Sequence, residues 1–381
     1  MIYRTLGRTD EDVSIVGLGC EHMVDMPRRD IEAIVAAAVD LGANYLDIFM
    51  PQAEVRDDLG HALSGGRRDK VMVAGHIGAV VENGQYARTR EPGPCAEFVD
   101  DFCRRLRTEV IDVLMLHYVD LMEDYERVFA PGGMLDQARQ LQEAGRCRFI
   151  GMSSHTADVS RRAVETGAID VLMFSVNPAH DMLPGNTQLE DFFDGTGFEN
   201  HPTVYRERRD LYLACQRMGT GIVTMKTYGG GRLLKADSVA GVALTPTQLI
   251  HYALSQPGVA AVLPGCRTVG EVEAAMAYLD ATEEERDFSL ALAQSRWDLA
   301  GQCVYCNHCL PCPQGIDIAA VTRLYHAAIE DGQTSRDTIE AEYAALEARG
   351  ADCIECGDCV ERCPFGVDVT DNMARAAEVL G

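Results

Sequence analysis

Eight of the fourteen cysteines fall within the last 80 residues, in two closely spaced runs, and no other feature restricts so tightly what this chain can fold into. The first run is Cys303-x2-Cys306-x2-Cys309-x2-Cys312-Pro313; the second is Cys353-x2-Cys356-x2-Cys359-x3-Cys363-Pro364. Three thiolates at successive three-residue steps wrap one face of a cubane, whose remaining iron takes a ligand from elsewhere. Disulfides suit a short secreted chain, whereas this one has 381 residues and opens on Met1-Ile2-Tyr3-Arg4-Thr5-Leu6-Gly7, with no apolar stretch before a cleavage site. Two structural zinc sites are the alternative, but zinc usually draws on two separated pairs, not on a triplet followed by cysteine-proline. The spacing predicts two [4Fe–4S] clusters. The remaining cysteines (Cys20, Cys95, Cys103, Cys147, Cys215, Cys266) are scattered and read as buried reduced thiols.

In two-cluster ferredoxins the cysteine before proline crosses to the other cluster. Carried onto this tail, that pairs Cys303, Cys306 and Cys309 with Cys363, and Cys353, Cys356 and Cys359 with Cys312. The first run departs from the usual pattern by one residue before its last cysteine. Between the runs, Ile318–Ala348 reads as helical. From Gln302 onward the chain has no lysine and is acidic, which suits docking on a basic redox partner and equally serves solubility.

The whole chain carries a formal charge of −25, from 59 acidic against 34 basic residues. Such a field repels phosphate backbones and anionic bilayers, so neither nucleic acid nor a membrane is an expected partner. No apolar run approaches the roughly 20 residues that span a bilayer. The expected location is cytoplasmic.

Residues 1–280 alternate short apolar runs with segments of helical period. The strand candidates are Ser14–Gly19, Asn44–Phe49, Val71–Gly78, Val110–Val119, Arg148–Ser154, Val171–Asn177, Gly221–Thr227 and Val259–Gly265, rich in Val, Ile, Leu and Met without clean alternation. Asp30 can cap a helix over Ile31–Leu41, Thr245-Pro246-Thr247-Gln248 reads as a capping box with proline at the first helical position, and Thr268 repeats the start signal. Eight such units predict a (β/α)8 TIM barrel over residues 1–280. A doubly wound sheet competes, but Gly17-Leu18-Gly19 lacks the third glycine of a dinucleotide fingerprint. A connecting helix and linker over 281–301, with a helix ending near Leu299, leads to the small ferredoxin-like domain at 302–381. The connections Ala79–Cys95, Asp120–Gly133 and Pro178–Tyr205 are long and share the barrel end where active sites sit.

The chain as a whole resembles an aldo/keto reductase barrel fused to a ferredoxin-like tail. The resemblance rests on Tyr3-Arg4-Thr5-Leu6-Gly7-Arg8-Thr9, Asn44-Tyr45-Leu46-Asp47, Ile111-Asp112-Val113-Leu114-Met115-Leu116-His117, Phe149-Ile150-Gly151-Met152-Ser153-Ser154-His155, Met225-Lys226-Thr227-Tyr228 and Val262-Leu263-Pro264-Gly265-Cys266-Arg267, in the right order. It implies an oxidoreductase using NAD(P)H and a tetrad of aspartate, tyrosine, lysine and histidine. Asp47 and His117 match. The tyrosine position holds Gln52 and the lysine position His76. Glutamine has no acidic proton near neutral pH, so ordinary carbonyl reduction is not what this tetrad implies. On the cofactor side the resemblance places Ser153 and Ser154 at the carboxamide, Met225-Lys226 at the nicotinamide, and Gly265 and Arg267 at the last strand's exit, where Arg267 can meet a 2′-phosphate or stand as a solvated surface arginine.

Asp47, His76 and His117 end three different strands at one barrel mouth, which reads as catalytic, although a lone histidine there is often a hydrogen-bonded structural residue. His155, His180 and His201 are further candidates, and Tyr86, Phe192, Phe193, Phe198 and Tyr205 can shape a pocket for an aromatic or flat substrate or simply anchor loops. Two readings follow. In one, the clusters relay electrons to a small organic substrate; in the other, a lyase or isomerase uses Asp47, His76 and His117 for proton transfer and the clusters are structural or regulatory.

Overall fold

The computed structural model describes residues 1–198, 204–329 and 334–381. Eight parallel strands form the inner sheet: β1 (Leu18–Gly19), β2 (Tyr45–Ile48), β3 (Met72–Ile77), β4 (Ile111–Leu116), β5 (Cys147–Ser154), β6 (Val171–Ser175), β7 (Gly221–Met225) and β8 (Val259–Val262). Each pairs with its sequence neighbour, and bridges from Val16 to Val262 and from Gly19 to Gly265 join the last strand to the first. The sheet is thus a closed (β/α)8 barrel, as expected. Closure removes every edge, so backbone groups are satisfied within the sheet and only side chains decide what sits at the mouth.

Two apolar clusters bracket this sheet. Leu6, Tyr45, Met72, Val113, Met115, Met173 and Val223 fill the barrel interior, while residues of the opposite strand face pack against the outer helices. Fit inside is tight: a Cβ at Gly151 would lie 2.3 Å from the Met115 sulfur and would displace that side chain.

The ends of elements refine the sequence reading. Of the expected first strand Ser14–Gly19, Ser14 instead ends the strand Asp12–Ser14, which pairs antiparallel with Tyr3–Thr5, and only Leu18–Gly19 forms a barrel strand. The first outer helix starts at Arg28 after Pro27, so Asp30 sits in its first turn and does not cap it. Thr245 and Thr268 do cap their helices, accepting from Gln248 and Glu271 backbone N–H groups. The connecting segment holds two short helices, Glu283–Arg286 and Ser289–Ala293, and the helix expected to end near Leu299 stops at Ala293. Among the described residues no helix is long and apolar enough to cross a membrane.

The C-terminal part packs helices Ile318–Ile329 and Val369–Leu380 together and shares one continuous apolar cluster with the barrel's outer layer through Trp297, Ile318, Tyr343 and Met373. Polar contacts fasten it to the barrel helices: Arg209 donates to the Tyr305 hydroxyl at 2.8 Å, Arg323 to Gln256 at 3.2 Å, and Arg217 pairs with Glu342.

Candidate active site

Strand periodicity lays the floor of the site. On β2, β3 and β4 the interior-facing residues Tyr45, Ala74 and Met115 are each followed two positions later by Asp47, His76 and His117, which face the same way at the C-terminal end. The sheet's register sets these groups edge to edge. Asp47 Oδ1 lies 2.8 Å from His76 Nε2, and His76 Nδ1 lies 2.9 Å from His117 Nδ1. All three are buried, and Phe49 stacks on the His117 ring at 5.3 Å. Burial pushes His117 well below the usual imidazole range, and the charges of His76, Arg90 and His155 press in the same direction.

A fourth member arrives from outside the barrel. The connection after β3 is a two-stranded ribbon, Ala79–Glu82 paired with Gln85–Arg88, turned by Asn83-Gly84 with positive φ at both residues (52° and 76°). It carries Tyr86 back over the mouth, where its hydroxyl lies 2.6 Å from His117 Nε2. Burial raises the Tyr86 phenol, against the opposing pull of Arg88 and Arg90. Arg90 anchors the ribbon's exit on the Tyr118 carbonyl (2.7 Å) and Asp124 (2.8 Å), and Arg88 lies over the Tyr118 ring. Sequence reasoning offered Tyr86 only as a loop aromatic; Asn-Gly between alternating residues is the signal for the ribbon that delivers it.

These groups open on a cavity of about 880 Å³, of the size that takes a cofactor or drug-sized ligand. Asp47, His76, His117, Tyr86, Ser153, Met225, Lys226, Gly265 and Arg267 all line it. The Ser153 hydroxyl oxygen accepts from the Tyr118 N–H at 2.8 Å, which leaves its own proton for a ligand. Across the mouth Lys226 bridges both Glu21 oxygens (3.0 and 2.9 Å); burial pushes the Glu21 carboxyl up, but the lysine outweighs it and the group lies below its usual value. At Gly265 a Cβ would meet the His22 ring at 2.5 Å and would push it aside.

Other expected residues lie elsewhere. Gln52 precedes helix Ala53–Ala62, does not line the cavity, and its buried side-chain oxygen has no hydrogen-bond partner among the described residues. Ser154 turns onto Thr156 instead of the cavity. His155 lines the cavity with its Nδ1 on Asp120 at 2.8 Å, whereas His180 is buried off the cavity, stacked on Phe192 at 3.9 Å. His201 lies outside the described residues.

In the C-terminal part, one cavity is walled by Cys303, Cys306, Cys309 and Cys363, and a second by Cys312, Cys353, Cys356 and Cys359. None of the eight forms a disulfide. Among the described residues no three Cys, His, Asp or Glu side chains converge where one metal ion would sit. Four cysteines lining one cavity are the donor set that a cubane takes. The two runs share a backbone: Tyr305 and Asn307 have left-handed φ, and so do Glu355 and Gly357. Arg362 ties the runs together by donating to the carbonyls of Cys309 (3.1 Å) and Pro311 (2.9 Å). The second cavity is the outward one, since Cys356 is exposed and Ile354 is 60% exposed. The first lies toward the barrel, with Tyr305 on Arg209 and His308 on Asp287 at 2.8 Å.

Comparison with known proteins agrees with this division. The aldo/keto reductase family matches over residues 16–242, and the 4Fe-4S dicluster domain over residues 302–368. The uncharacterized oxidoreductase YqkF of Bacillus subtilis (strain 168) is 24% identical over 308 residues, covering 74% of this chain and 93% of that protein. Among solved structures, the holo form of aldo-keto reductase AKR11C1 from Bacillus halodurans superposes with a TM-score of 0.58 at 22% identity, covering 75% of this chain and 94% of that one. PA4992 from Pseudomonas aeruginosa gives 0.55 at 20% identity, covering 73% and 95%. At these identities the structural likeness speaks for the barrel fold alone.

Proposed function

We propose, for a chain that belongs to the aldo/keto reductase family, that it is an iron–sulfur oxidoreductase reducing or oxidising a small organic substrate at the barrel mouth. The observation that carries this is the buried chain Asp47–His76–His117, joined at 2.8 and 2.9 Å on the floor of a ligand-sized cavity, in one molecule with two four-thiol cavities. The reading assigns one [4Fe–4S] cluster to Cys303, Cys306, Cys309 and Cys363 and a second to Cys312, Cys353, Cys356 and Cys359. Bound NAD(P)H supplies hydride and the clusters supply single electrons.

The chain's own residues do the rest. Ser153 offers its hydroxyl to a carboxamide, the Lys226–Glu21 bridge spans the cavity where a dinucleotide would lie, and Arg267 stands beside it for a 2′-phosphate. His117 holds the Tyr86 hydroxyl at the edge of the cavity through its Nε2. His76, against the Asp47 carboxylate, can carry the positive charge that a lysine carries elsewhere in the family. The outward second cavity is where an electron-carrying partner would dock, and the first hands electrons toward the barrel. The Phe49 and Tyr86 rings beside His117 favour a flat or aromatic substrate.

The test is anaerobic. Purified protein should contain about eight iron and eight acid-labile sulfide per chain. After chemical reduction of the clusters, a panel of carbonyl and aromatic compounds is added; re-oxidation of the clusters by a compound that is turned over supports the reading. Turnover of a compound by elimination or isomerisation, with the cluster spectrum unmoved, would replace it by the lyase or isomerase reading.

A further inference from the structure

We infer that Tyr86, His117, His76 and Asp47 form one proton relay, that the Tyr86 hydroxyl is its cavity end, and that a single proton on the histidine pair sets the direction in which it delivers. This deepens the reading above and rests on it.

The hydrogen bonds force the argument. An ionised Asp47 only accepts, so His76 carries its proton on Nε2. A neutral His76 then has only a lone pair on Nδ1, and His117 must donate from its own Nδ1 across the 2.9 Å contact. That leaves His117 Nε2 without a proton, and the Tyr86 hydroxyl 2.6 Å away donates to it. In this state the phenolic proton is turned from the cavity and the hydroxyl oxygen faces it as an acceptor. Adding one proton reverses every link. His76 becomes doubly protonated beside Asp47, donates from Nδ1 to His117, and His117 donates from Nε2 to the phenol oxygen. The Tyr86 O–H is then free to point into the cavity.

The other charged groups near the pair are already engaged. Arg90 is held by Asp124, Arg88 by the Tyr118 ring, His155 by Asp120 and Lys226 by Glu21. The extra proton therefore belongs to the Asp47–His76–His117 set. Gln52 does not line the cavity, whereas Tyr86 is a lining phenol hydrogen-bonded to the histidine pair, and that bond marks it as the acid.

Reduced nicotinamide dinucleotide, when bound, would supply hydride, two electrons and one proton, to the carbonyl carbon. The carbonyl oxygen receives the Tyr86 proton. Tyr86 is refilled from His117 Nε2, His117 from His76 Nδ1, and the neutral relay recovers its proton from water. The products are an alcohol and oxidised dinucleotide. Run backwards from the neutral relay, Tyr86 accepts the alcohol proton, so low pH favours reduction and high pH favours oxidation.

The experiment uses anaerobic holoprotein labelled with nitrogen-15 at histidine, as wild type and as Tyr86→Phe, whose ring can keep its packing on Phe49. A pH titration by nuclear magnetic resonance should show the His76 and His117 signals moving together with one midpoint, and that midpoint should shift in Tyr86→Phe. Separate midpoints, or titrations unchanged by the substitution, would overturn the relay. With NADPH and 4-nitrobenzaldehyde as the probe, Tyr86→Phe should lose about 10²-fold or more in kcat with KM within about threefold. A kcat within threefold of wild type would overturn the donor role. Absence of wild-type turnover with the aldehyde and with a quinone would overturn the reductase reading and the donor role together, while the titration still decides whether the relay exists.

Discussion

In the C-terminal part, three of the four thiols around each cavity come from one short stretch of chain, and the fourth crosses from the other run. At the barrel mouth, by contrast, His76 lies 29 residues from Asp47 and 41 from His117 in sequence, and a ribbon outside the barrel supplies the fourth group. The first arrangement is held by local turns, including left-handed residues repeated at equivalent places in the two runs. The second is held by strand register: a slip of one residue would turn Asp47, His76 or His117 to the opposite face of the sheet. Local sites tolerate changes in the fold around them, whereas assembled sites inherit every change in the sheet.

The sharpest way to break this contrast is at the one long-range thiol. Cys363→Ala should remove the first-run cluster and leave the second, so iron should fall from about eight to about four per chain. Loss of the second-run spectrum instead would mean that each run serves its own cluster.

At the mouth, His117→Ala should lower turnover by about 10²- to 10⁴-fold with binding largely kept, and should remove one limb of the pH–rate profile. His117→Gln keeps a hydrogen bond but cannot shuttle protons, and should be nearly as inactive. A glutamine variant with most of its activity would reduce His117 to a positioning residue.

A smaller effect separates the two regions by pH. Burial holds both His117 and His180 well below their unfolded value of 6.5. The unfolded chain therefore binds protons that the folded chain does not, so barrel stability is intact above about pH 6.5 and is lost as pH falls toward the folded values. Each group contributes a slope of up to about 1.4 kcal/mol per pH unit in that window. Hydrogen exchange of the barrel strands at about pH 7.5 and about pH 5.5 measures it, and His180→Asn should flatten the difference. An unchanged slope in that variant would mean that His180 is charged in the fold.

The smallest effect tests the cofactor wall. Arg267→Ala should weaken NADPH binding by about tenfold and NADH much less, because only the former offers a 2′-phosphate to the guanidinium. Equal losses would mean that Arg267 does not meet that group.

How far the sequence could be read follows the same divide. The two cysteine runs stood out because ligand spacing is itself a sequence pattern, and one cavity draws on Cys303, Cys306, Cys309 and Cys363 while the other draws on Cys312, Cys353, Cys356 and Cys359. The barrel was legible from eight apolar runs, although backbone pairing, not hydrophobicity, assigned Asp12–Ser14 to a separate hairpin. Asp47, His76 and His117 could be placed at one mouth, but their edge-to-edge order depends on strand stagger, which no spacing records. Gln52 looked like a mouth residue by position alone; the start of its helix holds it off the cavity. Tyr86 was hidden because a partner that reaches its target through a turn has no fixed distance from it in sequence.

That ribbon has an evolutionary consequence. Gly78, with φ of 98°, marks where the chain leaves β3, and Arg90 marks where it is fastened again, so the segment between them is an insert with two fixed ends. A barrel built this way can exchange the piece that carries its acid without disturbing a single strand. New chemistry then costs a loop replacement, and descendants that share every barrel residue can diverge in the reaction they catalyse.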